Sequence, residues 1–296
     1  MMGDAMRVWV TGGSGSLGSQ VVAVLKAAGI TVLSPSHQAA DLTQPEVIAE
    51  QLKTLQPTHI INCAAQRRPD CCESESPEVI ALNVTLPQLL AKSGLPLVHI
   101  STDYVFNGAN APYDETAQRR PLNAYGRQKA AAEALIEELP NVLILRVPIL
   151  FGPIADWSNS AVTVLAANLL KASGGAVLMD DIAIRYPTFT TDIARQILVL
   201  LPFVGTHYRG IYHYSGEEPM TKFMMGLTIA PLIGCSPEQC LPDHRPTAVP
   251  RPYDCHLSTR RLRRTGRFVE PTPFATALIQ TLTAQKEGEK GPKSLF

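Results

Sequence analysis

No run of this 296-residue chain stays apolar for the roughly 20 residues that a helix needs to cross a bilayer. Pro, Gly or polar side chains break every hydrophobic stretch early. A membrane-spanning role is not expected. Net charge is lacking too: 26 Lys+Arg stand against 26 Asp+Glu. A neutral chain has no general attraction to nucleic acid or anionic lipid, so neither is expected as a partner. One basic stretch, "RPYDCHLSTRRLRRTGR" (Arg251–Arg267), holds six arginines and reads as a solvated face or as a local patch. The six cysteines form no C-x-x-C pair and the seven histidines no i, i+4 pair. No metal site is expected. Cys71 and Cys72 are adjacent, which suits neither a disulfide framework nor zinc. No signal-peptide pattern is present, so free thiols in a reducing cytoplasm are the expectation.

What is present is an ordinary globular composition, 45% hydrophobic and 18% charged. The length suits one large domain, or one domain with a smaller lobe. The first half alternates strand-like and helix-like segments. Strands are expected at Met6–Thr11, Ile30–Ser34, Thr58–Ala65, Pro96–Thr102 and Asn141–Val147. Helices are expected at Gly18–Gly29, Pro45–Leu55, Ser76–Gly94 (with Ser76 as N-cap) and Ala124–Leu139. Strands alternating with helices imply an α/β fold, a doubly wound parallel sheet covered on both faces. After Gly152 the pattern changes to prolines, short strands and isolated helices near Ser158–Ala172, Thr191–Leu201, Thr221–Ile233 and Pro273–Gln285. The expected organisation is a dinucleotide-binding domain over 1–152 with return segments from 153–214. A small mixed substrate or partner lobe over 153–285 and a flexible tail over 286–296 complete it.

"VTGGSGSLG" joins the first strand to the first helix, and Gly12, Gly15 and Gly18 give G-x-x-G-x-x-G. Glycines let the backbone turn tightly and approach a pyrophosphate, and the helix N-terminus offers free N–H groups to its charge. A nicotinamide dinucleotide is the expected cofactor. An acid at the end of the second strand would bind the ribose 2′-hydroxyl of NAD. In "VLSPSHQAADL" no acid occurs before Asp41 and no arginine replaces it. Ser34, Ser36 and His37 are left to surround a 2′-phosphate, so NADP is favoured, with NAD the alternative. Asp41 and Leu42 either contact the adenine or form an ordinary turn before the next helix.

The fourth strand ends in "HISTDYVFNG", which puts Thr102 at the carboxyl end of a central strand, where open α/β sheets bind ligands. Tyr125 and Lys129 open the next helix near the same rim, on one helix face. Hydride reduction of a ketone needs a proton for the developing alkoxide. A phenol supplies it if a nearby cation lowers its pKa from roughly 10. Lys129 would supply that charge and hold the nicotinamide ribose, and Thr102 would orient the carbonyl.

In this order, "TGGSGSLG", "NCAA", "STDYVFNG", "YGRQK" and "RVPILFG" resemble an extended short-chain dehydrogenase/reductase of the dTDP-4-dehydrorhamnose reductase branch. "CAAQRRPD", "SAVTVL", "RYPTFTTDIA" and "SGEEPMTKF" bring the resemblance closer to the regulatory beta subunits of methionine adenosyltransferase. It runs to about Arg261, and the C-terminal tail matches poorly. The resemblance implies a Thr102/Tyr125/Lys129 catalytic-type site. Its implied cofactor residues are Thr11, Gly12, Gly15, Ser16, Leu17, Gly18, His37, Asp41, Leu42, Cys63, Ala64, Ala65, Tyr125, Lys129 and Arg146. Arg67, Arg68, Asp103 and Tyr104 are implied to face substrate or partner. From the residues alone, Arg67 and Arg68 suit a substrate phosphate, a partner's carboxylates or plain solvation, and Cys63 suits the core. The implied function is an NADP-binding, reductase-like subunit that associates with a methionine adenosyltransferase catalytic subunit and supports S-adenosylmethionine synthesis. The tail, ending in Leu295-Phe296, would serve that contact. The alternative is an NADPH-dependent reductase of a nucleotide-sugar ketone. Such reductases carry a tryptophan shortly after the arginine of the fifth strand, where this chain has Arg146-Val147-Pro148-Ile149.

Overall fold

The computed structural model describes residues 6–154 and 156–288. The expected tail lies mostly outside those residues, including Leu295 and Phe296. In chain order the first five strands are β1 (Arg7–Thr11), β2 (Thr31–Leu33), β3 (His59–Asn62), β4 (Leu97–Thr102) and β5 (Val142–Val147). Five short strands follow: β6 (Leu150–Phe151), β7 (Val177–Asp180), β8 (Thr188–Phe189), β9 (Gly210–His213) and β10 (Cys240–Asp243). Six of them form one parallel sheet in the order β2-β1-β3-β4-β5-β9.

The strand sequences explain why both faces are covered. Side chains alternate faces along a strand. Val8 and Val10 of β1, Ile61 of β3, Val98 of β4 and Leu143 and Leu145 of β5 enter one cluster. Their neighbours Trp9, Ile60, Leu97, Val142 and Ile144 enter the opposite one. The first face is closed by Leu17, Val21 and Leu25 of helix Ser16–Ala27 and by Ile193, Ile197 and Leu200 of helix Thr190–Leu200. On the second, Ile48, Leu86, Leu90 and Ile136 come from three more helices. Fully burying a side chain of this kind stabilises the fold by about 1.5–3 kcal/mol.

A third cluster gathers Phe151, Leu165, Leu169, Met179, Met225, Ile229, Cys240, Phe274 and Leu278. It packs helices Thr163–Lys171, Lys222–Leu232 and Phe274–Gly288 against the two-stranded β7–β10 sheet. Helix Thr190–Leu200 and β9 return from this half of the chain to the main sheet. The single helix expected over Ser158–Ala172 is broken instead. Asp156 caps a short turn at Trp157–Asn159, and Ser160 Oγ accepts from the backbone N–H groups of Val162 and Thr163 to start helix Thr163–Lys171 afresh.

The arginine-rich stretch is largely absorbed by internal contacts. Arg261 stacks on Tyr212, Arg267 on Phe203, and Arg263 on Phe268 while pairing with Glu217 and Glu270. Among the described residues no helix is long and apolar enough to cross a membrane.

Candidate functional site

The chain runs from β1 to β2 on one side and to β3 on the other, so a crevice opens beyond the carboxyl ends of β1 and β3. The glycine loop lies there. Gly12 has φ +67°, and a Cβ on it would stand 2.7 Å from Ala64 N and 2.9 Å from Cys63 C. A Cβ on Gly18 would stand 2.1 Å from Gly12 O. The first glycine lets the loop lie against the end of β3, and the last lets the helix pack onto the loop. Gly15 is the N-cap of helix Ser16–Ala27 and no side chain caps that end. Ser16 Oγ is buried with no hydrogen-bond partner among the described residues. A cleft of about 430 Å³ opens here, lined by Ser14, Gly15, Ser16, Ser19, Arg67 and Asn159 among others. Uncapped N–H groups, an orphaned buried hydroxyl and a guanidinium around one cleft fit a pyrophosphate.

Other residues expected to hold the cofactor sit differently. Leu17 is buried in the first core cluster, so only its backbone faces outward. Leu42 and Ala64 pack on the second cluster and Cys63 on the first. Burial pushes the Cys63 thiol up to about 12, as a core role requires. Ala65 is half-buried in the loop after β3. His37 is largely exposed, 4.0 Å from Asp41. Asp41 accepts from both the backbone N–H and the hydroxyl of Thr43, which is turn chemistry. Ser34 donates to Val10 O beneath Gly13, so its hydroxyl is committed away from a phosphate.

Arg146 requires a correction. It is fully buried, bonded through Nε and Nη2 to Glu133 at 2.9 and 2.6 Å and through Nη1 to His213 at 3.2 Å, and it stacks on Phe106. Ser101 and Arg119 also donate to Glu133. The guanidinium has no reach into the cleft, because it neutralises a carboxylate buried in the core.

Arg67 and Arg68 cross toward the other half of the chain. Arg67 Nη2 donates to Asn159 O, and Arg68 Nη2 donates to Asn159 Oδ1 at 3.3 Å. A π-helical turn at Ala81–Thr85 turns Asn83 inward. Its side chain accepts from Gln66 N, donates to Gln66 O and donates to Gln128 Oε1. One buried amide thus fixes the arginine loop to the helix that carries Tyr125. Sequence reasoning missed it, since an asparagine in a helical pattern carries no signal.

That helix, Ala124–Ile136, starts at Asn123, whose Oδ1 accepts from Gly126 N. A Cβ on Gly126 would stand 2.2 Å from Tyr104 O, so this glycine lets the helix reach the turn after β4. Thr102, Asp103, Tyr104 and Tyr125 do come together. Thr102 Oγ1 donates to Asp103 Oδ1 at 3.0 Å, and the two tyrosine rings meet edge-on at 6.2 Å. Burial raises the Asp103 carboxyl to about 6, although Arg185 opposes it. The Tyr125 phenol moves the other way from expectation. Burial raises it, Thr102 opposes, and the Asp103 charge adds to the rise. Lys129 does not lower it, because its amine turns inward to Ile100 O at 2.7 Å and His99 Nε2 at 3.0 Å.

Three cations outside the expected site residues gather here: Arg185 and Arg251 act on the Tyr104 phenol, and Lys222 feels both arginines. Arg185 is buried, lies 5.6 Å from the Tyr104 ring and forms no ion pair among the described residues. Lys222 is held below its usual range by burial, then by Arg185. Arg251 pairs with Asp70 at 2.8 Å and leaves Nη1 buried without a partner among the described residues.

Residues 6–286 match the family described as RmlD substrate binding domain. The chain is 34% identical over 305 residues to the methionine adenosyltransferase 2 subunit beta of Danio rerio, covering 98% of this chain and 94% of that protein. It is 32% identical over 273 residues to a probable dTDP-4,6-dihydroxy-2-methyloxan-3-one 4-ketoreductase of Streptomyces antibioticus, covering 88% and 90%. The dTDP-4-dehydrorhamnose reductase of Bacillus anthracis, solved in complex with NADP, superposes with a TM-score of 0.83 at 25% identity, over 94% of this chain and 99% of that one. With the glycine loop at the switch point and Thr102, Tyr125 and Lys129 along the rim, this chain belongs to the RmlD substrate binding domain family of extended short-chain dehydrogenase/reductases.

Proposed function

We propose that this protein is a reductase-like regulatory subunit. It binds NADP in the glycine-loop cleft, associates with a methionine adenosyltransferase catalytic subunit and so supports S-adenosylmethionine synthesis. Likeness to a subunit beta over 98% of the chain supports the association. Gly12, Gly15, Ser16 and Gly18 hold the pyrophosphate, and Arg67 closes the cleft from the opposite side. Arg68, beside it, is a candidate for partner contact.

One observation carries regulation over turnover. A bound reduced dinucleotide supplies a hydride, and the protein must then deliver a proton. Tyr125 is the group in place, but its phenol is raised by burial and the Lys129 amine is bonded to Ile100 O and His99 rather than to it. Ile149, where nucleotide-sugar reductases carry an aromatic platform, packs instead against the third core cluster.

Arg185 and Arg251 near Tyr104, with Lys222 close to both, favour a second reading, a reductase acting on an anionic nucleotide-sugar ketone. Calorimetric titration with NADP and NAD, followed by incubation with NADPH and dTDP-4-dehydrorhamnose, separates the two. The regulatory reading expects saturable binding, tighter for NADP, and no loss of nicotinamide absorbance. Rapid oxidation that disappears in Tyr125→Phe overturns it in favour of the reductase. Absence of saturable binding overturns both.

A further inference from the structure

Two nitrogen-bearing side chains face one buried imidazole. His99 Nδ1 lies 3.1 Å from Asn62 Nδ2, and His99 Nε2 lies 3.0 Å from Lys129 Nζ. All three residues are buried. The orientation of the Asn62 amide is fixed by other contacts. Its Oδ1 accepts from the backbone N–H of Ala64 at 3.2 Å and from the Thr11 hydroxyl at 2.7 Å. Turned over, the amide would set its NH2 against the Ala64 N–H. Asn62 Nδ2 therefore donates to His99 Nδ1, which carries no hydrogen. An imidazole bare at Nδ1 has its single hydrogen on Nε2, aimed at Lys129. An ammonium has three donors and no acceptor, so it cannot receive that hydrogen. An uncharged amine can, with its lone pair toward His99 and an N–H toward Ile100 O at 2.7 Å.

We propose that in the ligand-free protein at alkaline pH Lys129 is a neutral amine held by His99. Dinucleotide binding then draws it off His99 as an ammonium and takes one proton from solvent. This rests on the dinucleotide reading above. His99 is thus a positioning residue that ties the Lys129 charge, held for the nicotinamide ribose, to occupancy of the cleft.

The surroundings agree on every side. From the end of β3, Cys63 is an uncharged thiol, pushed up to about 12 by burial. From β4, His99 is kept neutral by burial. On the lysine's own helix, the Glu133 carboxylate is already paired with Arg146 and Arg119. Burial lowers Lys129 itself to about 8, with Glu133 opposing. A nicotinamide ribose offers hydroxyl acceptors, and a pyrophosphate offers negative charge. Both favour the charged form.

The test is calorimetric titration of the full chain with NADP at about pH 9 in two buffers of different ionisation enthalpy. At that pH an amine titrating near 8 is mostly neutral, while a ribose-bound ammonium near its ordinary 10.5 is not. The expected uptake approaches one proton per NADP, falling to about a tenth at pH 7. His99→Gln, which offers Lys129 an amide oxygen, should bind NADP with uptake below about half of the wild-type value. Saturable binding with buffer-independent heat in the wild type overturns the inference and leaves the cofactor reading standing. Undiminished uptake in His99→Gln overturns the role of His99. No saturable heat at either pH overturns the cofactor reading, and this inference with it.

Discussion

The Arg146 guanidinium and the Glu133 carboxylate meet at 2.6 Å with side chains 1% and 0% exposed. Glu133 lies one helical turn beyond Lys129, so the pair anchors the Tyr125 helix to β5. Removing one partner strands a buried charge. Glu133→Gln is expected to cost about 3–5 kcal/mol in urea unfolding. The double variant Glu133→Leu/Arg146→Met is expected to recover most of it. A single variant within about 0.5 kcal/mol of wild type would show that the pair is solvated.

Gly18→Ala tests the cradle. Its Cβ would stand 2.1 Å from the carbonyl of Gly12, so the helix must move away from the loop. Overpacking of this kind costs about 1–3 kcal/mol. NADP affinity is expected to fall roughly tenfold or more. Unchanged affinity by calorimetry would separate the glycine loop from cofactor binding.

Arg67 lines the cleft, whereas Arg68 does not line it and donates to Asn159 Oδ1. A charge-assisted contact contributes about 1.5–3 kcal/mol, so Arg67→Ala is expected to weaken NADP binding roughly 10- to 100-fold. Arg68→Ala is expected to change it by less than about threefold. Equal losses in the two variants would contradict their assignment to different surfaces.

Asp103 should make stability depend on pH in a particular direction. Burial raises its folded carboxyl to about 6 from an ordinary 3.8. Its charged form therefore costs stability above pH 6, and the cost disappears as pH falls toward 3.8. Asparagine keeps an acceptor for the Thr102 hydroxyl, now 3.0 Å from Oδ1. Asp103→Asn is expected to be more stable than wild type at pH 8, by roughly 2–3 kcal/mol, and equal to it near pH 4. A variant less stable than wild type at pH 8 would mean that Arg185 outweighs burial.

Local patterns made much of this legible in the sequence. Five of the six strands of the main sheet follow from strand-like segments alternating with helix-like ones, and the expected bounds of helix Pro45–Leu55 coincide with those observed. Tyr125, Lys129 and the glycine loop are motifs a few residues long, so sequence places them. Arg146 was misjudged because its partner is a helix away in space. Yet Tyr125, Lys129 and Glu133 recur every four residues, a spacing that already put an acid on the site face of that helix. Strand β9 was hidden because four residues bounded by Gly210 give little periodicity. The Asn62–His99–Lys129 chain joins two strands and a helix. The Arg185, Lys222 and Arg251 group joins three distant segments. Neither leaves a trace along the chain.

Association with a methionine adenosyltransferase catalytic subunit from the same source tests the central claim most directly. Sedimentation velocity of the two purified proteins, with NADP present, is expected to show a complex at micromolar concentration for wild type and equally for Tyr125→Phe. Independent sedimentation of the two proteins, together with Tyr125-dependent oxidation of NADPH on a nucleotide-sugar ketone, would contradict it.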